Sequence, residues 1–275
     1  MGFWFPVAVT QPTVTLEETS TSLSIDSSAG DAMQSSTYSA DFWSGNDAKF
    51  TAIWWLRNAG GVAANATCMS FYSKGGGAAN QVGSIIPFHQ STSDRIQVNM
   101  VEADGSGVFK RLRWNTYAAV TTWQCFGLTY DSTVDSRHTP GNGGALEFFV
   151  NGARIDPTSV TIDNDITPGD PAHVDQEYRC GSGVWVGKFF SSAGWGKVLT
   201  DAEITSIYNG GVPIDPSSNA GDYESSADLR AYFVPGRSPA ALGANLVSAY
   251  PALGMDSVTG LTSADLVADT PQSPA

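Results

Sequence analysis

The feature that most constrains this chain is a succession of short apolar or alternating runs, each closed by Gly, Asn, Asp or Pro. DRIQVNMVE (94–102) sets Ile96, Val98 and Met100 at every second position, the period that turns one face of a strand toward a core. KFTAIWWLR (49–57), TCMSFYSK (67–74), GSIIPFH (83–89), WQCFGLTYD (123–131), ALEFFVNGARID (145–156) and VWVGKFFSS (184–192) are apolar or aromatic runs of strand length. Asn151-Gly152 tolerates positive φ at both central positions of a turn, which predicts a two-residue hairpin. Short strands with turns between them predict an all-β chain folded as a two-sheet antiparallel sandwich.

One stretch departs from this pattern. In GKVLTDAEITSIYNGG (196–211), Thr200 and Glu203 have the spacing of a capping box, and Leu199 and Ile204 that of a hydrophobic staple. Ile204, Ile207 and Tyr208 form an apolar stripe, and Gly210-Gly211 offers a left-handed stop, so a helix is predicted near residues 201–209. A helix this short is marginal alone and must dock on something already built. It is expected to cover a sheet edge or corner rather than to carry chemistry.

The length of 275 residues supports one large β domain with appendages. A net charge of −13 makes nucleic acid and anionic lipid poor partners, because the chain repels phosphate. Cys68, Cys125 and Cys180 include no C-x-x-C pair, and Cys125 lies in a strand-like run as an expected buried thiol. MGFWFPVAV at the start has no basic leader and meets Pro6 at once, so it reads neither as a secretory signal nor as a membrane span, and position six lacks the Ser or Thr of a myristoylation motif. The chain is expected to be soluble and to fold where it is made.

Three segments lie outside the strand pattern. Residues 1–20 form an apolar arm, residues 131–144 a polar excursion between two strands, and residues 213–275 a Pro-, Ala-, Ser- and Asp-rich extension with strand-like islands at LRAYFV and NLVSAY. The expected organisation is arm, sandwich over residues 21–212, and an extension partly packed on it. No internal repeat is visible.

Several patterns together resemble a known superfamily. WQCFGLTYDS followed by LEFFVNGARI is similar to the "W-x-x-x-x-x-T-Y-D … L-x-x-Y-V-N-G" hairpin of laminin-G-like, concanavalin-A-type lectin–glucanase domains. FTAIWWLR looks like their early core strand, and the run from VWVGKFF to SIYNGG resembles the ending "R-x-L-S-x-x-E-I-x-x-L-Y". LRAYFVP and MDSVTGLT resemble the "L-V-A-Y-W-P-L" and "D-x-S-G" elements that trail this module in bacteriophage virion proteins. The resemblance implies a jelly-roll sandwich whose terminal helix closes the domain. It implies little about function, since this fold hosts lectins, enzymes and structural modules.

Few patterns in the sequence point to chemistry. Glucanases of this superfamily carry E-x-D-x-x-E on one strand as nucleophile and acid/base. Here Glu102-Ala103-Asp104 is followed by Gly107 where the last Glu would stand, and the segment reads as a solvated turn. His89, His138 and His173 have no H-E-x-x-H spacing. Gly75-Gly76-Gly77 lacks the lysine of a phosphate loop and reads as a flexible turn, and no G-x-S-x-G elbow occurs. Asp163, Asp165 and Asp170 in IDNDITPGD offer hard oxygen ligands for calcium, or simply an acidic surface loop. Among Trp43, Trp54, Trp55, Trp114, Trp123, Trp185 and Trp195, most lie in apolar runs and read as core. Trp43 and Trp195, flanked by Ser and Gly, are the candidates for stacking on a glycan.

The functional expectation is a non-catalytic module. The first reading is a virion structural protein, a phage capsid decoration protein or fibre assembled in the host cytoplasm. In that reading Phe3, Trp4, Phe5 and Val7 anchor the chain to a major capsid protein or to a second copy. The alternative is a carbohydrate-binding adhesin, on a virion, a cell surface or outside the cell. A glycan-cleaving enzyme is the third. No cofactor beyond calcium is implied.

Overall fold

The computed structural model describes residues 21–26, 31–34, 49–58, 66–73, 85–90, 95–101, 109–115, 121–131, 133–134, 144–157, 159–162, 176–182, 186–249 and 257–271, with 34, 66–73, 85–90, 95–101, 109–115, 159–162, 176–182 and 257 described by backbone alone. The arm residues Phe3, Trp4, Phe5 and Val7, the loop carboxylates Asp163, Asp165 and Asp170, and Trp43 lie outside the described residues.

The early strands are β1 (Ser22–Asp26), β2 (Ala32–Gln34), β3 (Lys49–Asn58), β4 (Ala66–Ser73), β5 (Ile85–Gln90), β6 (Arg95–Val101) and β7 (Phe109–Asn115). Then come β8 (Gln124–Asp131), β9 (Leu146–Val150), β10 (Ala153–Arg154), β11 (Ser159–Ile162), β12 (Gln176–Ser182) and β13 (Val186–Trp195). The helix α1 (Asp201–Tyr208) precedes β14 (Leu229–Phe233), β15 (Ser257–Thr259) and β16 (Leu266–Val267). One sheet runs β10-β9-β8-β3-β13-β1-β16, with β14 added to β13; the other runs β11-β7-β6-β5-β4-β12-β2-β15. Their pairings are antiparallel. The chain is a two-sheet antiparallel jelly-roll sandwich, with one short α-helix among the described residues.

The first sheet buries both of its faces. Phe50, Ala52, Trp54 and Leu56 of β3 share one face with Phe126, Leu128 and Tyr130 of β8 and with Phe148 of β9, all 2% exposed or less. Trp54 stacks on Phe126 there, with centroids 6.0 Å apart. The opposite face carries Ile53, Trp55, Cys125, Phe149, Phe190, Ala193 and Trp195, and is covered by Ile204 and Ile207 of α1 and by Ile214, Tyr223, Leu229 and Tyr232. Each such side chain, fully buried, contributes about 1.5–3 kcal/mol. This explains why β3 and β8 read as continuous apolar runs rather than alternating ones.

α1 is docked by both ends. Thr200 accepts from the Glu203 N–H at 3.2 Å, and the Glu203 carboxylate accepts from the Thr200 N–H at 2.9 Å, closing the predicted capping box. The buried Thr51 hydroxyl donates to the Lys197 carbonyl at 2.8 Å and accepts from the Leu199 N–H at 2.9 Å, fixing the chain to β3 just ahead of the helix. Under the helix, Gly127 of β8 packs closely on β9: a Cβ there would lie 3.1 Å from Phe149 Cβ, with Ile204 Cγ2 at an ordinary contact distance of 3.7 Å. The helix stops one residue earlier than its glycines suggest. Asn209 itself takes the left-handed conformation at φ 47°, and its side chain donates to the Val212 carbonyl at 3.1 Å.

The C-terminal extension contributes to both sheets, β14 and β16 to the first and β15 to the second. LRAYFV supplies β14 as its apolar pattern suggests. NLVSAY forms no strand over its described residues 245–249. Its Asn245 amide instead donates to the Arg230 carbonyl at 2.9 Å and accepts from the Tyr232 N–H at 2.8 Å, and the Leu246 N–H donates to the Tyr232 carbonyl at 2.8 Å, so this stretch follows β14 as a tethered loop.

Candidate binding cleft

At the end of the helix-covered face, where β3 finishes and β8 begins, a cleft of about 530 Å³ opens between the sheet and the C-terminal end of α1. Trp55 and Arg57 come from β3, and Thr122, Trp123 and Gln124 from the approach to β8. Asn151 comes from the β9–β10 turn, Tyr208, Gly210 and Gly211 from the helix end, and Thr270 from the C-terminal tail. The volume lies in the range of small-ligand sites, which combine apolar walls with a few placed polar groups.

The aromatic groups are layered. Trp55 is buried and stacks under Tyr208, with ring centroids 5.8 Å apart and planes at 19°. Tyr208 is half-buried. Trp123, also half-buried, sets its edge against Phe190 with centroids 6.2 Å apart and planes at 75°. Two partly open rings, Trp123 and Tyr208, therefore stand on fully packed ones.

The β9–β10 turn brings Asn151 and the helix end together. Asn151 (φ 52°) and Gly152 (φ 78°) both have positive φ, the geometry anticipated for a two-residue hairpin. Asn151 bonds Cys125 twice: its N–H donates to the Cys125 carbonyl at 2.7 Å, and its Oδ1 accepts from the Cys125 N–H at 3.0 Å. Its Nδ2 has no hydrogen-bond partner among the described residues. Thr205 of α1 donates to the Gly152 carbonyl at 2.9 Å, which ties helix to turn. Cys125 lies beneath as the expected buried thiol, its pKa pushed up by burial.

The polar wall is organised by the tail. Arg57 Nε donates to the Thr121 carbonyl at 2.7 Å, and its Nη1 contacts Asp269 Oδ2 at 2.7 Å. Trp123 Nε1 donates to Asp269 Oδ1 at 2.9 Å, and Lys188 Nζ pairs with Asp269 Oδ2. Burial alone would raise the Asp269 carboxyl, but hydrogen bonds from Lys188 and Trp123 and the charges of Arg57 and Lys188 outweigh it and hold the group below its ordinary range. Two cations meet one carboxylate, so this corner is locally basic on a chain of net charge −13.

Trp195 is not at the surface. It is fully buried, donating from Nε1 to Tyr223 Oη at 2.9 Å, while Tyr223 Oη donates to the Pro216 carbonyl at 2.7 Å. Its Ser and Gly neighbours suggested exposure, yet they mark only the end of β13, and the extension arriving after α1 covers the ring. The aromatic groups that do line a cleft, Trp123 and Tyr208, sit in runs that read as core. The signal available in the sequence was Trp123 directly after Thr121-Thr122, at the mouth of a strand rather than within it.

No protein-family profile matches the chain, and no curated protein matches it. Among solved structures, the CBM40 module of Ruminococcus gnavus IT-sialidase is similar at 13% identity and a TM-score of 0.44, with 73% of this chain and 99% of that one covered. The leech intramolecular trans-sialidase gives 14% and 0.44, covering 67% of this chain and 26% of that one. The binding domain of botulinum neurotoxin DC, solved with rat synaptotagmin II, gives 13% and 0.42, covering 72% of this chain and 45% of that one. The strand pairing described above, rather than these distant likenesses, carries the fold assignment.

Proposed function

We propose that this protein is a non-catalytic glycan-binding module and that the cleft beside α1 is its site. The observation that carries the reading is the pairing of two half-buried rings, Trp123 and Tyr208, with Arg57, Gln124 and Asn151 around one space of about 530 Å³. A sugar presents a C–H face that stacks on an aromatic ring and a hydroxyl edge that needs planar donors and acceptors, and this lining offers both. Burying the rings' outer faces against a sugar recovers apolar area that the fold leaves uncovered. The described residues around the cleft offer no carboxylate pair flanking an open space, since Asp269 is already engaged by Arg57, Lys188 and Trp123. In this proposal the cleft binds a sugar without turning it over.

An array of neutral and acidic glycans tests this, followed by calorimetry on the strongest binder with Trp123→Ala and Tyr208→Ala. Each variant is expected to weaken binding at least tenfold while remaining folded. A folded wild-type protein that binds no glycan, or variants that bind as the wild type does, would overturn it.

A virion setting for such a module, as decoration protein or fibre, is our proposal for where it works. It rests on the sequence resemblance to phage modules and on the apolar arm of Phe3, Trp4, Phe5 and Val7. Deleting residues 1–8 and counting copies on particles by electron microscopy tests it, with full occupancy of the truncated chain as the contrary result.

A further inference from the structure

We propose that Asp269, in the tail beyond the last strand, is the positioning residue of the cleft, orienting Trp123 and Arg57 toward the bound glycan; this rests on the glycan reading above. Lys188 of β13 lies directly opposite Arg57 of β3, and Trp123 lies one residue before Gln124, which pairs with Leu56. Trp123, Arg57 and Lys188 thus form a row across three neighbouring strands on the helix-covered face. Two like charges directly opposite each other repel, and an indole N–H at this edge needs an acceptor.

The tail answers both needs with one carboxylate. β16 pairs with β1 at the far side of β13, and the chain then turns back, with the Asp269 N–H donating to the Val267 carbonyl at 2.9 Å. The Ser22 hydroxyl holds the Asp269 carbonyl. From that anchor Oδ1 accepts from Trp123, and Oδ2 faces both Arg57 and Lys188. Thr270, the next residue, lines the cleft itself. A tail 146 residues beyond Trp123 and 212 beyond Arg57 therefore sets the rotamers of the ring and the guanidinium. Two anchored contacts on one carboxylate fix direction as well as distance, which is what a stacking platform and a planar donor require.

The test uses the full chain carrying Asp269→Ala or Asp269→Asn. Two readouts are taken: affinity for the strongest array glycan, and the indole ¹H–¹⁵N resonance of Trp123, assigned with Trp123→Phe. Asp269→Ala is expected to shift the indole resonance and to lower affinity at least tenfold in a folded protein. Asp269→Asn, which keeps an oxygen for the indole but not the charge facing Arg57 and Lys188, is expected to restore the resonance and recover only part of the affinity. An unmoved resonance or wild-type affinity in Asp269→Ala overturns the proposal. So does wild-type affinity in Asp269→Asn, which decides the matter alone should the alanine variant fail to fold. If the wild-type protein binds no glycan, the glycan reading falls, and the indole resonance still shows whether Asp269 orients Trp123.

Discussion

Gly152 and Tyr208 are in contact: a Cβ placed on the turn glycine would lie 3.0 Å from both Cβ and Cδ1 of the tyrosine. The hairpin turn and the end of the helix meet at a point with no room for a side chain, and Tyr208 owes its place in the cleft to that. Gly152→Ala must carry a side chain at φ 78°, which costs about 1–2 kcal/mol, and must also push the ring aside. We expect a lower urea midpoint together with weaker glycan binding. A variant that loses neither would mean the turn and helix are not rigidly joined.

Thr200→Ala removes the hydroxyl that accepts from the Glu203 N–H. The loss is expected to be roughly 0.5–2 kcal/mol of stability, with glycan affinity unchanged, because the cap lies at the end of α1 remote from Tyr208. Chemical denaturation monitored by circular dichroism checks the first part and calorimetry the second. An unaltered midpoint would show that the capping box contributes nothing.

Trp195→Phe tests whether the Trp195 ring is sealed in the core. It leaves the buried Tyr223 hydroxyl without the indole donor, at an expected cost of about 1–3 kcal/mol. Glycan affinity should not change. A stable variant with impaired binding would return Trp195 to the binding surface.

Two carboxylates give the pH profile opposite slopes. The folded chain holds Asp269 below its ordinary value of 3.8, so its contribution is complete above that pH and is lost as pH falls through the lower, folded value. Glu147 behaves in reverse. Burial raises its pKa above 4.5, against the Gly144 N–H and the charge of Arg154, and its Oε2 is buried without a hydrogen-bond partner among the described residues. Its contribution is present below pH 4.5 and is lost as pH rises through the folded value. Melting curves across pH should show Asp269→Asn flattening the acid limb and Glu147→Gln flattening the fall from pH 4.5 upward. A Glu147→Gln curve parallel to the wild type would remove the carboxylate from this account.

What the sequence determined by itself is what short-range physics decides. The strand β6, the positive-φ pair Asn151-Gly152 and the Thr200–Glu203 box are set by residues at most a few positions apart, and each appears where the spacing places it. Even there the helix end depended on a detail: Asn209 enters the left-handed region one residue before Gly210, which is left-handed too at φ 65°. NLVSAY had the composition of a strand, but the Asn245 amide takes up the Arg230 carbonyl and the Tyr232 N–H, and beside it stands one backbone bond to β14, from the Leu246 N–H to the Tyr232 carbonyl. Which tryptophan is open and which is sealed was decided only by tertiary structure. The local sequence signals pointed the wrong way for both: Trp195, beside Ser and Gly, is covered by Tyr223, whereas Trp123, in a run that reads as core, lines a cleft whose carboxylate arrives from Asp269, 146 residues away. Burial and long-range ion pairing depend on which chain segment returns to which face, and that information is spread over the whole fold rather than held in any one stretch of it.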